Sequence, residues 1–321
     1  MSETHAHPIR VAIIGSGNVG ATFAYTLLLR GLATEIVLVD ANRAKAEGEA
    51  MDLNHAVPFV RPARIWAGDY ADCAGALVTV ITAGAAQRPG ETRLAPAQRN
   101  AEIIREVVPQ VMEHNPTGIL LVATNPVDVL AYAAWRLSGL PAQRVIGSGT
   151  ILDTARFRYL LSQHYGVDPR SVHAYIIGEH GDSEVPLWSS ANIAGMRLPA
   201  FCATQGLACD QEAMDEIFRQ TRDAAYRIIE RKGATYYAVA QGLLQIVEAV
   251  VRDQSTVLSV SSLIEDYYDI SDVYLSLPAV LDGSGVERVL RLELSPEEVD
   301  TLRHSARILR ETIDFLNLSQ P

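Results

Sequence analysis

His180 is the residue of this sequence best placed to exchange a proton. It lies in the segment Ile176-Ile177-Gly178-Glu179-His180-Gly181-Asp182, directly after an apolar run that predicts a β-strand. A histidine at a strand end can face a cleft and change its charge near neutral pH. A lone histidine in a polar turn can also be purely structural, so its function depends on which other groups lie beside it.

Asp153 and Arg156 are the first candidates for such groups. They are three residues apart on a helix predicted over 151–165, so their side chains share one face. A simple surface ion pair is the alternative interpretation. If that face meets His180, the carboxylate would hold the imidazole in one tautomer and favour its protonated form. The arginine could then form a bidentate pair with a substrate carboxylate.

A glycine motif near the N-terminus indicates a dinucleotide site. Gly15-Ser16-Gly17-Asn18-Val19-Gly20 follows a predicted strand and opens a predicted helix, which is the context that this motif requires. Gly15 would allow the tight turn, Gly17 the approach of a pyrophosphate, and Gly20 the packing of helix on strand. Small glycine turns also occur for steric reasons alone. Asp40, at the end of the second predicted strand, would accept hydrogen bonds from both ribose hydroxyls and repel a 2′-phosphate, so it favours NAD over NADP.

Two further polar segments follow predicted strands. Residues 87–93, Gln-Arg-Pro-Gly-Glu-Thr-Arg, come after Thr82-Ala83-Gly84, and Asn125 follows another strand. Doubly wound folds bind ligands at this carboxyl edge of the sheet. A solvated surface loop and a helix cap are the alternatives. A histidine, an aspartate, Arg93 and Arg156 around a nicotinamide would suit a 2-oxo acid, because one arginine binds the carboxylate, the other polarises the carbonyl, and the histidine exchanges the proton.

The elements that position these residues follow from hydrophobic periodicity. Strands and helices alternate over the first part of the chain, which predicts a Rossmann-type doubly wound parallel sheet over residues 1–148. An α+β substrate domain with antiparallel strands is predicted over 149–321. The predicted strands are 9–14, 35–40, 76–81, 118–124, 172–177, 257–263, 273–280 and 286–292; the predicted helices are 19–30, 97–114, 126–137, 151–165, 210–232 and, from a capping box at Ser295, 295–315.

Composition narrows the classes of function. The 321 residues are 48% hydrophobic and carry a net charge of −11 without a basic block, which argues against a nucleic-acid partner. Three cysteines without metal-ligand spacing predict no metal site and no structural disulfide, as in a reducing compartment. No apolar run is long enough for a membrane helix and the N-terminus does not read as a signal peptide, so we expect a cytoplasmic protein.

Five motifs together resemble those of bacterial NAD-dependent L-lactate dehydrogenases in order and spacing, over nearly the whole chain. They are the glycine motif with Asp40, residues 87–93, Thr124-Asn125-Pro126, Asp153-x-x-Arg156, and residues 177–182. The resemblance implies that His180 is the proton donor and acceptor, Asp153 its orienting partner, Arg156 the clamp on the substrate carboxylate, and Arg93 the group that polarises the carbonyl. The implied substrate-binding residues are Gln87, Arg93, Asn125, Asp128, Arg156 and Thr235. The implied NAD-binding residues are Gly15, Gly17, Asn18, Val19, Gly20, Asp40, Lys45, Tyr70, Ala83, Gly84, Asn125 and Ser148.

The resemblance also implies regulation and assembly. Arg158 and His173 match the residues that bind fructose 1,6-bisphosphate across a subunit interface in allosteric members of this family. An ordinary helix arginine and strand histidine are the alternative. The expected protein is therefore a homotetramer that reduces pyruvate to L-lactate and is activated by this sugar bisphosphate.

Two other functions remain open at this point. Malate dehydrogenases of the same fold resemble this chain, but they have an arginine at the position that matches Gln87, which is neutral here. Arg88 is adjacent, and a register shift of the loop would present it instead. The other alternative is a catalytically silent NAD-binding protein, which would have no reason to keep His180, Asp153, Arg156 and Arg93 together.

Overall fold

One nine-stranded sheet dominates the structure, a computed structural model that describes residues 8–85 and 94–318. Its strands are β1 (Arg10–Ile14), β2 (Glu35–Val39), β3 (Arg64–Ala67), β4 (Val78–Ile81), β5 (Ile119–Val122), β6 (Val145–Gly147), β12 (Thr256–Ile264), β13 (Val273–Asp282) and β14 (Gly285–Val289). Their order across the sheet is β14-β13-β12-β6-β5-β4-β1-β2-β3. Strands β1 to β6 are mutually parallel, and β12, β13 and β14 extend the sheet beyond β6 in antiparallel pairing. The predicted fold class is confirmed.

Helices cover both faces of this sheet. The helices of the described residues are α1 (Asn18–Arg30), α2 (Arg43–Ala56), α3 (Leu94–His114), α4 (Val127–Ser138), α5 (Ile151–Tyr165), α6 (Leu198–Gln205), α7 (Gln211–Lys232), α8 (Tyr237–Arg252) and α9 (Pro296–Phe315). Of these, α6 and α7 pack with α5 in a separate hydrophobic cluster. In β1, Ala12 and Ile14 face one hydrophobic cluster, whereas Val11 and Ile13 face another. A parallel strand that is buried on both faces needs such an uninterrupted apolar run.

Local signals account for several helix ends. Gly31 ends α1 in the left-handed conformation, with a φ of 63°. The capping box at the start of α9 forms as predicted, because the Ser295 Oγ accepts from the Glu298 N–H at 3.2 Å and the Glu298 carboxylate accepts from the Ser295 N–H at 2.8 Å. Sequence patterns therefore locate these termini to within a residue.

The predicted strand over residues 172–177 is wrong as a single element. The chain forms β7 (Val172–His173) and β8 (Ile176–Ile177), which belong to different small sheets with β10 (Asn192–Ile193), β11 (Met196–Arg197) and β9 (Val185–Pro186). At this break in the strand the backbone forms hydrogen bonds with side chains of α5. The Ala174 carbonyl accepts from Arg158 Nε at 2.9 Å, and the Ile176 N–H donates to Thr154 Oγ1 at 3.0 Å.

The large sheet contains strands from both sides of the predicted domain boundary between residues 148 and 149. The division into two domains at that boundary stays a prediction. β12 pairs with β6 where Ser261 lies opposite Gly147. A Cβ on Gly147 would lie 2.8 Å from the Ser261 Cβ, so glycine is required for this close approach. The elements of the C-terminal half are thus built directly onto the parallel sheet.

Over 8–85 and 94–318, no helix is long and apolar enough to cross a membrane. In the same ranges, no three His, Cys, Asp or Glu side chains form a group that could hold a metal ion. Cys73 and Cys202 are buried free thiols, and Cys209 is an exposed one.

Candidate active site

His180 and Asp153 are in direct contact, as the sequence analysis predicted they could be. The His180 Nδ1 lies 2.5 Å from the Asp153 Oδ2. Asp153 is buried in the first turn of α5, whereas the His180 side chain, in the loop after β8, keeps 24% of its surface exposed. The carboxylate therefore fixes the orientation of the imidazole and leaves its Nε2 for a ligand.

Arg156 completes a three-residue cluster with this pair. Its Nη1 donates to the Asp153 Oδ1 at 2.8 Å, so the two carboxylate oxygens serve a histidine and an arginine separately. The side chain is 13% exposed. A guanidinium has five N–H donors, so those not bonded to Asp153 can bind a second carboxylate.

The charged forms of His180, Asp153 and Arg156 stabilise one another. Burial alone would lower the pKa of His180, but the Asp153 carboxylate raises it to about 9. Burial likewise opposes ionisation of Asp153, yet His180 and Arg156 hold its pKa below the ordinary value. His180 is therefore an imidazolium at neutral pH, ready to donate a proton.

Buried polar groups hold the His180 loop in place. The His180 N–H donates to the Asp128 Oδ2 at 2.8 Å, and the Glu179 N–H donates to the Ser305 Oγ at 2.7 Å. Gly178 exchanges two backbone hydrogen bonds with Ser276 of β13, at 2.8 and 3.0 Å. Asp128 is 1% exposed, and burial raises its pKa to about 6. It supports the backbone of His180 from beneath.

The glycine loop has the geometry that its spacing predicts. Gly15 has a φ of 100°, and a Cβ there would lie 2.6 Å from the Ala83 nitrogen. A Cβ on Gly20 would lie 1.9 Å from the Gly15 carbonyl oxygen, so the helix packs tightly on the turn. At Gly17, by contrast, no described atom lies within 4 Å of a Cβ position. Gly17 is also the N-cap of α1, and no side chain caps the helix in the part of the chain described. This open, uncapped helix end fits a pyrophosphate.

Asp40, directly after β2, bonds to the glycine loop. Its Oδ2 accepts from the Ser16 N–H at 2.7 Å, and its Oδ1 accepts from the Asn42 N–H at 2.8 Å. Burial opposes its ionisation, but these hydrogen bonds bring its pKa below the ordinary value. The end of β2 therefore carries a fixed negative charge, which fits two ribose hydroxyls and disfavours a phosphate.

Two residues that the sequence analysis missed join the loops of this edge. Thr82 Oγ1 donates to the Gly15 carbonyl at 2.7 Å. Asn100, 3% exposed on α3, accepts from the Ala85 N–H at 2.7 Å and donates to the Asn125 carbonyl at 2.8 Å. Their partners are distant in sequence, and no local pattern signals the contacts.

Comparison with known proteins assigns this arrangement to a family. The model of the lactate/malate dehydrogenase NAD binding domain matches residues 9–147, and that of the lactate/malate dehydrogenase alpha/beta C-terminal domain matches residues 150–317. The chain belongs to the lactate/malate dehydrogenase family.

The curated and solved relatives agree with that assignment. L-lactate dehydrogenase of Priestia megaterium is 53% identical over 305 residues, which cover 95% of this chain and 96% of that protein. L-lactate dehydrogenase of Synechococcus sp. (strain JA-3-3Ab) is 55% identical over 305 residues, covering 95% and 98%. The solved structure of a lactate dehydrogenase from a Medee basin deep-sea metagenome library superimposes with a TM-score of 0.92 at 47% identity, covering 97% of this chain and 100% of that one. The resemblance to bacterial L-lactate dehydrogenases is thus confirmed, and this member of the lactate/malate dehydrogenase family is an NAD-dependent enzyme.

The remaining predicted residues of this family member lie in several places. Gln87 and Arg93 fall outside the described residues. Asn18, Val19, Lys45, Tyr70, Ala83, Gly84, Asn125 and Ser148 lie in loops or helices that follow β1, β2, β3, β4, β5 and β6, at the carboxyl edge of the parallel sheet. Thr235 is half-buried in the connection between α7 and α8. As cofactor and substrate contacts these positions stay predictions.

Proposed function

We propose that this enzyme is an L-lactate dehydrogenase that interconverts pyruvate and L-lactate. The cluster of His180, Asp153 and Arg156 is the observation that carries the proposal. It combines an acid, His180, that is protonated at neutral pH with a guanidinium, Arg156, that uses only some of its N–H donors on Asp153. The chain that carries them belongs to the lactate/malate dehydrogenase family. A 2-oxo acid needs both groups, because its carbonyl oxygen must be protonated and its carboxylate must be bound.

The residues divide the reaction between them. When bound, NADH supplies the hydride that adds to the carbonyl carbon. His180 donates its proton to the carbonyl oxygen as negative charge develops there, and in the reverse direction it accepts that proton. Arg156 binds the carboxylate through N–H donors that Asp153 leaves free. Asn125 donates to the substrate oxygen and Thr235 lines the space beside the methyl group, as the family resemblance implies.

Residues outside the described ranges complete the proposal. Arg93 polarises the substrate carbonyl, and Gln87 selects the substrate. Oxaloacetate would place a second carboxylate beside the neutral amide of Gln87. An unpaired buried charge costs several kcal/mol, so the protein rejects oxaloacetate and accepts pyruvate.

One assay separates lactate dehydrogenase, malate dehydrogenase and a silent NAD-binding protein. NADH oxidation is measured with pyruvate and with oxaloacetate. Preference for pyruvate is expected, with loss of turnover in His180→Ala but not in His304→Ala, an exposed histidine of α9. A tenfold preference for oxaloacetate would identify a malate dehydrogenase, and no turnover with either substrate would identify a silent protein. Gln87→Arg should shift preference toward oxaloacetate.

Arg158 and His173 support activation by fructose 1,6-bisphosphate in a homotetramer. Arg158 Nε donates to the Ala174 carbonyl at 2.9 Å, and its guanidinium carbon lies 4.8 Å from the Tyr175 ring centroid. This contact holds the arginine beside the strand that carries His173, which is exposed. The Arg158 guanidinium and the His173 imidazole could bind phosphate groups by hydrogen bonds and favour a high-affinity state.

Regulation is tested with the pyruvate KM. Fructose 1,6-bisphosphate should lower it in wild type and in Arg170→Leu, an exposed arginine nearby, but not in Arg158→Leu. An equal KM with and without the sugar bisphosphate would contradict activation. Sedimentation velocity tests the tetramer, and cell fractionation tests the proposed cytoplasmic location.

A further inference from the structure

An additional acidic side chain, Glu184, lies buried beside the catalytic cluster and has no part in the proposed reaction. Glu184 is 4% exposed, and its Oε1 has no hydrogen-bond partner within residues 8–85 and 94–318. Its N–H donates to the Gly181 carbonyl at 3.3 Å, so it closes the turn that begins at Gly181, directly after His180. A buried carboxyl oxygen without a partner calls for a physical explanation, since such atoms are rare.

The charges around Glu184 are those of the catalytic cluster and one further arginine. Asp153 and Arg156 act on it from α5, His180 from its own loop, and Arg222 from α7. An ionised carboxylate with an unpaired buried oxygen is costly, and the charge of Asp153 adds repulsion. Burial, followed by Asp153, raises the pKa of Glu184 to about 9, although the three cationic groups oppose this rise.

We propose that Glu184 is a positioning residue that stays uncharged at neutral pH and so leaves the positive charge of Arg156 to the substrate carboxylate. This inference rests on the proposed function, in which the substrate is a carboxylate. Ionisation of Glu184 would add one negative charge that acts on the guanidinium that binds the substrate. The substrate would then compete with a resident anion, and its affinity would fall.

Other titratable groups near the cluster must be separated from Glu184. His180 itself loses its proton with a pKa of about 9, and it interacts with Glu184, so the two groups titrate as a pair. Asp128 lies beneath His180, and its pKa of about 6 places its ionisation well below that range. Glu179, in the same loop, accepts a hydrogen bond from Ser183 and is half-buried. A variant that removes only the ionisation of Glu184 is therefore the decisive reagent.

Glu184→Gln is that variant, because the amide imitates the uncharged acid in shape. The measurement is kcat/KM for pyruvate from pH 6 to pH 10. At pH 7 we expect Glu184→Gln to lie within about threefold of wild type. At pH 10 wild type should have lost several-fold more of its kcat/KM than the variant, because only wild type then carries the added negative charge that acts on Arg156. Glu248→Gln is the matched control, because Glu248 of α8 is also buried but forms ion pairs with Arg30 and Arg252. It should follow wild type.

A larger loss than threefold at pH 7, or coincident profiles of wild type and Glu184→Gln above pH 9, would overturn the inference. Infrared difference spectroscopy tests the protonation state without turnover. The carbonyl band of a protonated carboxylic acid should be present in wild type at pH 7, absent from Glu184→Gln, and lost from wild type above pH 10. Its absence from wild type at pH 7 would overturn the inference, whereas its presence in a protein inactive on pyruvate would contradict only the proposed function. If the variant does not fold, the pH dependence of the wild-type band decides alone.

Discussion

Replacing Asp153 by asparagine should remove the charge that keeps His180 protonated. The side chain is buried, and its Oδ2 lies 2.5 Å from the His180 Nδ1. Asparagine has nearly the same shape, so the imidazole keeps a neighbour but loses the carboxylate. The pKa of His180 should therefore fall from about 9 to 6.5 or lower, because the burial that opposes its charge is no longer compensated.

The size of the effect follows from that change. A fall from about 9 to 6.5 corresponds to about 3 kcal/mol of stabilisation of the imidazolium. If pyruvate reduction requires protonated His180, the variant should lose about fourfold of its rate at pH 7 and about thirtyfold at pH 8 from the protonated fraction alone. The loss should grow with pH because wild type stays protonated over this interval while the variant does not.

The assay is the pH dependence of kcat/KM for pyruvate with saturating NADH. Asp168→Asn is the control, since Asp168 is an exposed acid bonded to Arg170. Its profile should match wild type. A loss in Asp153→Asn that is equal at pH 7 and pH 8, with the alkaline limb still near pH 9, would refute the reasoning. Asp153 would then orient the imidazole of His180 without changing its pKa.

Four further substitutions test the supporting structure and the cofactor site. Asp128→Ala leaves the partly buried His180 N–H without its acceptor and should lower the free energy of unfolding by about 1 kcal/mol, measured by urea denaturation; an unchanged midpoint would contradict this. Gly17→Ala and Gly20→Ala form a matched pair, because a Cβ meets no described atom at Gly17 but lies 1.9 Å from the Gly15 oxygen at Gly20. Gly17→Ala should fold normally and bind NADH about tenfold more weakly, by about 1.4 kcal/mol in titration calorimetry, whereas Gly20→Ala should lose about 1–3 kcal/mol of stability; similar behaviour of both variants would count against the cofactor site. Asp40→Ser should raise the ratio of kcat/KM for NADPH over NADH by about tenfold or more, and an unchanged ratio would show that Asp40 only holds the glycine loop.

Periodicity predicted the parts of the fold in which local sequence and burial agree. The apolar run of β1 and the helix ending at Gly31 were predicted within a residue or two. In α2 only Ala46, Ala50 and Leu53 are buried in a mostly polar helix, so the pattern is weak and the helix was missed. α8 was also missed, although its buried residues recur at helical spacing and a signal was present.

The candidate site was predicted to the extent that its residues form motifs. The contact between Asp153 and His180 could be proposed because a helix spacing and a strand end suggested it. Thr82 and Asn100 could not be found, because their hydrogen bonds depend on how separate loops meet. Glu184 is a similar case, since Asp153, Arg156 and Arg222, whose charges act on it, lie on the helices α5 and α7, which are distant from it in sequence.

The pairing of β6 with β12 limits how parts of such enzymes can be exchanged between relatives. A chimera that takes its first 148 residues from one parent and the remainder from another would join two halves of one hydrogen-bonded sheet. A parent with any side chain at the position of Gly147 would meet the Ser261 Cβ at 2.8 Å and force the strands apart. Recombination at this sequence boundary should therefore succeed only between parents that share the small residues of that seam, whatever their overall identity.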